Sequence, residues 1–258
     1  MDPDAGPEFW QKVLTEGHPP LRVMHKLFRY LPSPPRCKVC HNPFGGIGGK
    51  LCAIFGYTPS RKNPNVCMTC CERLPPGGAE VDIAVLFADV RGSTELGEKL
   101  APSAYAEMLN RFYRTATEVL IRHDAIIDKL IGDEVMALFI PGICGSEYHR
   151  RAVEAASALL KAVGYGAEAG PWLALGGAVN SGMTYVGNVG AQGIVDFTAL
   201  GDTVNTASRL ASSAAAGEIL ISAAVYSRVA ERFPDLQERT FSLRGKESPM
   251  TARVLGAA

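Results

Sequence analysis

The sequence has no apolar run approaching the roughly 18 residues needed to cross a bilayer. Its first residues, MDPDAGPEFW, have neither the basic start nor the apolar segment of a secretory leader. It lacks a charge excess: Lys plus Arg number 26 and Asp plus Glu number 26, for a formal net charge of zero. That balance excludes a globally basic nucleic-acid binder. Charged residues make up only 20% against 47% hydrophobic, which argues against a disordered chain. Seven cysteines in 258 residues are too few for a disulfide scaffold. There is no repeat of solenoid period and no low-complexity tract. The expected setting is the reducing cytoplasm, where clustered cysteines mean metal or redox chemistry.

What is present is unevenly placed. Residues 1–79 carry 10 basic and 5 acidic groups, and residues 80–258 carry 16 and 21, giving +5 for the first part and −5 for the second. Six of the seven cysteines fall between Cys37 and Cys71. The chain therefore divides into an N-terminal helical segment (1–36), a Cys-rich module with its linker (37–79) and a larger domain (80–258). In the first segment two short helical stretches are split by Pro19-Pro20. Leu21, Met24, Leu27, Phe28 and Leu31 share one face of the second stretch, and Arg22, Lys26 and Arg29 share the other. Such a helix packs on the protein's own body, or else meets a membrane surface or a regulatory partner.

Cys37-x2-Cys40 and Cys67-x2-Cys70 are two knuckles separated by 26 residues, a spacing that can bring four thiolates to one tetrahedral metal. Zinc is the simplest occupant. An iron–sulfur cluster is the alternative, with Cys52 and Cys71 as spare ligands, and His41 could replace a thiolate. Between the knuckles lies GGIGG (45–49), where Lys50 is followed by Leu51 rather than Ser or Thr. It is not a phosphate-binding P-loop and reads as a turn that lets the knuckles approach. Residues 75–79, PPGGA, read as a linker.

Beyond it the period changes. Residues 81–88 read as a strand and 103–123 as a long amphipathic helix. Strands at 125–131 and 135–140 flank a Gly132-Asp133 hairpin. A helix at 146–163 precedes strands at 172–180, 183–189 and 194–199. Then come a helix at 202–216, a strand at 218–222, a helix at 223–232 and strands near 236–243 and 250–255. The β-α-β-β-α-β order predicts an α+β sheet covered by helices.

Three segments carry chemistry. Asp89 ends the apolar strand of FADVRGST, before Gly92 and a helix whose free N–H groups can meet phosphate oxygens. Asp133 stands at the hairpin tip of DKLIGDEVMALF. If the hairpin flanks the first strand, the two carboxylates can share divalent cations, as phosphoryl transfer requires. In FTALGDTVNTASRL, Asn205 and Arg209 are four apart on one helix face, able to orient a ribose and to meet phosphoryl oxygens. Asp202 reads as the N-cap of that helix.

Together these segments resemble the class III adenylyl and guanylyl cyclase catalytic domain, in that family's order and spacing over residues 80–258. The resemblance implies a ferredoxin-like βαββαβ domain preceded by a small metal-binding module. It implies that Asp89, Asp133 and the backbone of Val90 hold two Mg²⁺ or Mn²⁺ ions, that Lys129 and Thr198 read the base, and that Asn205 and Arg209 are catalytic. Lys246 would hold the terminal phosphates, with Arg244 a weaker candidate. A lysine at 129 favours ATP, whereas Thr198 stands where vertebrate adenylyl cyclases have Asp. The implied reaction converts ATP to 3′,5′-cyclic AMP and pyrophosphate at composite sites of a homodimer, regulated through the Cys module. The alternatives are cyclization of GTP or a pyrimidine nucleotide, or a nucleotide-binding metal- or redox-sensing interaction protein. Neither nucleic acid nor a transmembrane segment is expected.

Overall fold

The computed structural model describes residues 6–17, 35–37, 40, 42–71, 77–191, 194–243, 245 and 248–256. The expected second helical stretch at 21–31 lies outside these residues, as do His41, Arg244 and Lys246 and the side chain of Cys71.

The centre of the fold is β1 (Gly77–Val90), whose sequence is apolar at successive positions and not only at alternate ones. Side chains alternate across a strand, so such a run must be covered on both faces. Ile83, Val85 and Phe87 enter one core cluster, whereas Ala84, Leu86 and Ala88 enter the other. β1 pairs antiparallel with β3 (Glu134–Phe139) on one side and with β4 (Leu175–Ala191) on the other. β2 (Ile126–Ile131) lies outside β3, and the other edge of β4 carries β5 (Ile194–Leu200) and β6 (Glu218–Ser222). β8 (Met250–Gly256) and β7 (Gln237–Phe241) complete an eight-stranded sheet in the order β2-β3-β1-β4-β6-β8-β7, with β5 beside β4.

Helices cover the Ala84–Leu86–Ala88 face. The buried stripe Phe112, Ala116, Val119 and Leu120 of α5 (Pro102–Arg122) packs there with Ala152, Ala156 and Leu159 of α7 (Tyr148–Ala162) and Val225 of α9 (Ala223–Val229). The short α4 (Ser93–Lys99) and α6 (Pro141–Cys144) link strands to these helices. The opposite face is covered by α8 (Asp202–Ser212), by α1 (Pro7–Glu16) and by the four cysteines of the knuckles, of which Cys70 lies in the short α3 (Met68–Cys71). Trp10 of α1 is fully buried and stacks on Phe197 of β5, with ring centroids 6.4 Å apart. Gly142 of α6 admits this helix, because a Cβ there would lie 2.6 Å from the Val13 carbonyl.

Four local expectations change. The GGIGG segment is not a turn: Gly45 caps α2 (Gly46–Ile54), and Gly49 lets that helix seat against the segment that leads into it, a Cβ there falling 2.4 Å from the Phe44 carbonyl carbon. Gly77 and Gly78 are strand residues rather than linker, paired opposite Asn188 and Gly187, where the small residues let the two backbones meet. Strands expected at 172–180 and 183–189 are one continuous β4, because the ladder to β1 runs unbroken through Ser181 and Gly182. Asp202 is the first helical residue of α8, after an N-cap at Gly201, and accepts from Thr206 Oγ1 at 3.4 Å. An acidic first residue still suits the positive end of the helix dipole.

Candidate active site

Sheet register builds the first half of the site. Asp89 is paired opposite Glu134 near the end of β1, and the hairpin joining β2 to β3 returns Asp133 to the same corner. Gly132 takes φ 60°, a left-handed conformation that glycine adopts without strain, and this sets the turn. Val90 N donates to the Asp133 carbonyl at 3.1 Å, and the Tyr113 hydroxyl of α5 donates to the Gly132 carbonyl. Burial raises the Asp89 carboxyl to about 6, helped by its hydrogen bond with Asp133 and opposed by Arg91. Burial likewise raises Glu134 to about 7, with the charges of Asp89 and Asp133 adding to it. Arg91 is the cation bonded to the group, 3.2 Å from Asp89 Oδ2, and it also donates to the Ala211 and Ser212 carbonyls at the end of α8. A corner where several carboxylates raise one another's proton affinity is suited to divalent cations.

Asp89 ordinarily titrates at 3.8 and Glu134 at 4.5, so between those values and about 6 to 7 the folded chain holds protons that the unfolded chain has released. Without a cation, these two groups lower stability as pH rises through that window, and their contribution is level above it. A cation competes with the same protons. Calorimetric titration is expected to show Mn²⁺ affinity rising from pH 5 to pH 7 and levelling by pH 8; equal affinity at pH 5 and pH 8 would contradict this assignment.

The second half is a polar cluster between β2 and β5. Lys129 Nζ donates to Thr198 Oγ1 at 2.8 Å, and Thr198 Oγ1 donates to Asp128 Oδ2 at 2.7 Å. The Asp128 side chain is fully buried, and Lys129 also reaches Asp196 Oδ2 at 3.3 Å. A second ammonium enters from the Cys module: Lys62 Nζ lies 2.6 Å from Asp196 Oδ1 and 3.3 Å from Asp128 Oδ1, and donates to the Phe197 carbonyl at 2.5 Å. Burial pushes the Asp196 carboxyl up, but hydrogen bonds and charge from Lys62 and Lys129 outweigh it, and the carboxyl ends below its usual range.

Asn205 is exposed on α8, and Arg209 on the same face lies against the turn at Gly245, where a Cβ would be 3.2 Å from Arg209 Nη1.

The sulfurs of Cys37, Cys40, Cys67 and Cys70 lie within 4.8 Å of one another, and all four residues are buried. Cys40 Sγ and Cys67 Sγ are 3.7 Å apart, against about 3.8 Å for two thiolates bound at ~2.3 Å to one tetrahedral ion. The amides of Cys40 and Cys67 both donate to Cys37 Sγ, at 3.5 and 3.2 Å. Hydrogen bonds from Cys40, Cys67 and Cys70 hold the Cys37 thiol below its usual value, while the bonds to Cys37 push Cys40 and Cys70 up. Four thiolates cannot coexist there without a cation, so the donor set fits a structural metal.

The model of the adenylate and guanylate cyclase catalytic domain matches residues 79–256. The chain belongs to this cyclase family. Similar solved structures include the guanylyl cyclase Cya2, with 28% identity, a TM-score of 0.63 and coverage of 70% of this chain and 95% of that one. The adenylyl cyclase CyaB from P. aeruginosa has 31% identity, a TM-score of 0.60 and coverage of 69% and 96%. Among curated proteins, the uncharacterized protein Rv1318c of Mycobacterium tuberculosis is 30% identical over 188 residues, covering 69% of this chain and 33% of that protein. The chain thus spans a quarter to a third of the length of the curated relatives it matches, 24% to 34%.

The cyclase fold brings Asp89 to Asp133 and Lys129 to Thr198 as the sequence led one to expect. Sequence reasoning missed Glu134, Arg91, Asp128, Asp196 and Lys62. Arg91, Asp128 and Glu134 lie within the chemistry-bearing segments and Asp196 immediately before the third, so strand pairing could have flagged them. Lys62 sits in a loop rich in Pro and Asn, with no local signal that it reaches the cyclase sheet. No helix among the described residues is long and apolar enough to cross a membrane.

Proposed function

We propose that this cyclase domain is an adenylate cyclase that converts ATP to 3′,5′-cyclic AMP and pyrophosphate. The Lys129–Thr198 pair carries this reading. Because the hydroxyl hydrogen of Thr198 is committed to Asp128, the pair offers one donor, the Lys129 ammonium, and one acceptor, a free lone pair of Thr198. Adenine presents the complement, an acceptor at N1 beside the 6-amino donor. Guanine presents an acceptor at O6, a donor at N1 and a further donor at the 2-amino group, which would be left without a partner.

In this reading Asp89, Asp133 and the backbone carbonyl of Val90 would hold two Mg²⁺ or Mn²⁺ ions. Bound there, such ions make the 3′-hydroxyl more acidic and neutralise the triphosphate. The 3′-oxygen forms a bond to the α-phosphorus, the bond from that phosphorus to the β-phosphate bridging oxygen breaks, and the hydroxyl proton passes to solvent. Asn205 orients the ribose, Arg209 meets the charge gathering on the phosphoryl oxygens, and Lys246 holds the terminal phosphates. The second set of composite groups comes from another copy of the chain. Leu130, Ile131, Met183 and Leu200 support that dimer, because these large apolar side chains stand exposed on β2, β4 and β5, the strands or neighbours of the strands that carry Lys129 and Thr198.

The test is incubation with an equimolar mixture of ATP, GTP, CTP and UTP and Mn²⁺, with chromatographic separation of products. Cyclic AMP is expected to dominate. Dominant cyclic GMP would overturn the base assignment, and bound nucleotide without any cyclic product would overturn the enzymatic reading.

A further inference from the structure

Lys62 is not part of the sequence pattern that marks the cyclase domain, yet its ammonium is the most heavily engaged in the base-reading cluster. Its side chain is only 17% exposed, and it touches Asp128, Asp196 and the Phe197 carbonyl together. The loop that carries it is fixed at both ends. On the module side Pro59 bridges to Cys67, Ser60 N donates to the Val66 carbonyl and Met68 N donates to the Thr58 carbonyl, so the loop is tied to the second cysteine knuckle. On the sheet side Ile127 N donates to the Lys62 carbonyl at 3.1 Å, Asn63 Nδ2 to the Ala125 carbonyl at 2.7 Å and Asn65 Nδ2 to the Ile121 carbonyl at 3.3 Å. The knuckle therefore holds the loop, and the loop holds Lys62 against β2 and β5.

Charge explains what that placement does. Asp128 and Asp196 face two ammonium groups, so the four side chains sum to zero. Without Lys62, two carboxylates would compete for Lys129 alone, in a site where Asp128 has no access to water. Lys129 already lies 3.5 Å from Asp128 Oδ2 and 3.3 Å from Asp196 Oδ2; as their sole cation it would be held more tightly by both and would have less freedom to meet a purine edge.

We propose that Lys62 is a positioning residue of the base-reading site, supplied by the Cys module: it neutralises Asp128 and Asp196 and so keeps Lys129 and Thr198 turned to the purine. This deepens the adenylate cyclase reading and rests on it. It also makes the module a structural part of nucleotide recognition.

The experiment compares the full chain with Lys62→Met, which keeps the side-chain length, and Lys62→Arg, which keeps the charge. Fluorescent N-methylanthraniloyl-ATP binding in Ca²⁺ is measured beside turnover of ATP in Mn²⁺. Lys62→Met is expected to raise both the Kd and the KM about tenfold, the scale of one displaced charge-assisted hydrogen bond, with kcat changed less than about threefold, and Lys62→Arg should recover most of the loss. Unchanged Kd and KM in Lys62→Met overturn the proposal. So does a fall in kcat that tracks a lowered unfolding midpoint and is not rescued by arginine, since that is the signature of a merely structural residue. The binding arm reads Lys62 even where the wild-type chain binds nucleotide without cyclizing it. That outcome overturns the enzymatic reading and leaves the positioning role to be decided by Kd alone.

Discussion

Asp89→Ala and Arg209→Ala chains, each nearly inactive alone, are expected to regain about a quarter of wild-type activity when mixed in equal amounts. Removing a carboxylate that holds a catalytic cation forfeits several kcal/mol of transition-state stabilisation, so each single variant should lose about a thousandfold or more in kcat. The recovery has a geometric origin. If Asp89 and Asp133 of one copy complete a site with Lys129, Thr198, Asn205 and Arg209 of the other, random pairing makes half of the dimers mixed. Each mixed dimer then holds one site with both lesions and one with neither. Mixed samples that stay as inactive as their parents would show that the sites are not shared. Arg91 is the residue to leave alone in this test, because it joins Asp89 to the end of the helix that carries Arg209 and would disturb both halves at once.

The second large effect is on stability. Stripping the metal from Cys37, Cys40, Cys67 and Cys70 is expected to lower the thermal midpoint of the whole chain by at least about 10 °C, because metal binding at such a site is folding free energy. The reason the effect reaches beyond the module is its place in the core: the four cysteines share a buried cluster with Ile83, Val85 and Phe87 of β1 and with Trp10. Elemental analysis and the visible spectrum accompany the melt. One zinc per chain and no absorbance near 400 nm identify a zinc site, whereas a brown protein with iron and sulfide identifies a cluster. A stripped chain that melts where the loaded one does would show that the cysteines are packed thiols and not a metal centre.

Much of the cyclase corner is legible in the amino-acid sequence. Asp89 follows an apolar strand and Asp133 follows a glycine, two local signals that place carboxylates at strand ends. Strand pairing then has only to bring those ends together, which the β1–β3 register does through Asp89 and Glu134. Asn205 and Arg209 are legible because a helix repeats every 3.6 residues and puts them on one face. GGIGG misleads because glycine lowers helix propensity, whereas here the lack of a side chain at Gly49 is what allows α2 to seat against Phe44.

The sequence by itself determined Asp89 at a strand end, Asp133 at a hairpin tip, one helix face for Asn205 and Arg209, the α+β order of elements and the two Cys knuckles, because each is written in local spacing: period 2, period 3.6 or Cys-x2-Cys. Only the tertiary structure decided how the two parts of the chain relate. PPGGA suggested a division between them, yet β1 begins inside it, and the face of β1 carrying Ile83, Val85 and Phe87 is covered by the Cys module and α1. Nor does any local pattern say that Lys62 meets Asp196, 134 residues away. Contacts of that separation arise because a strand apolar on both sides must be covered twice, and which segment supplies the second cover is settled by packing and charge across the folded chain.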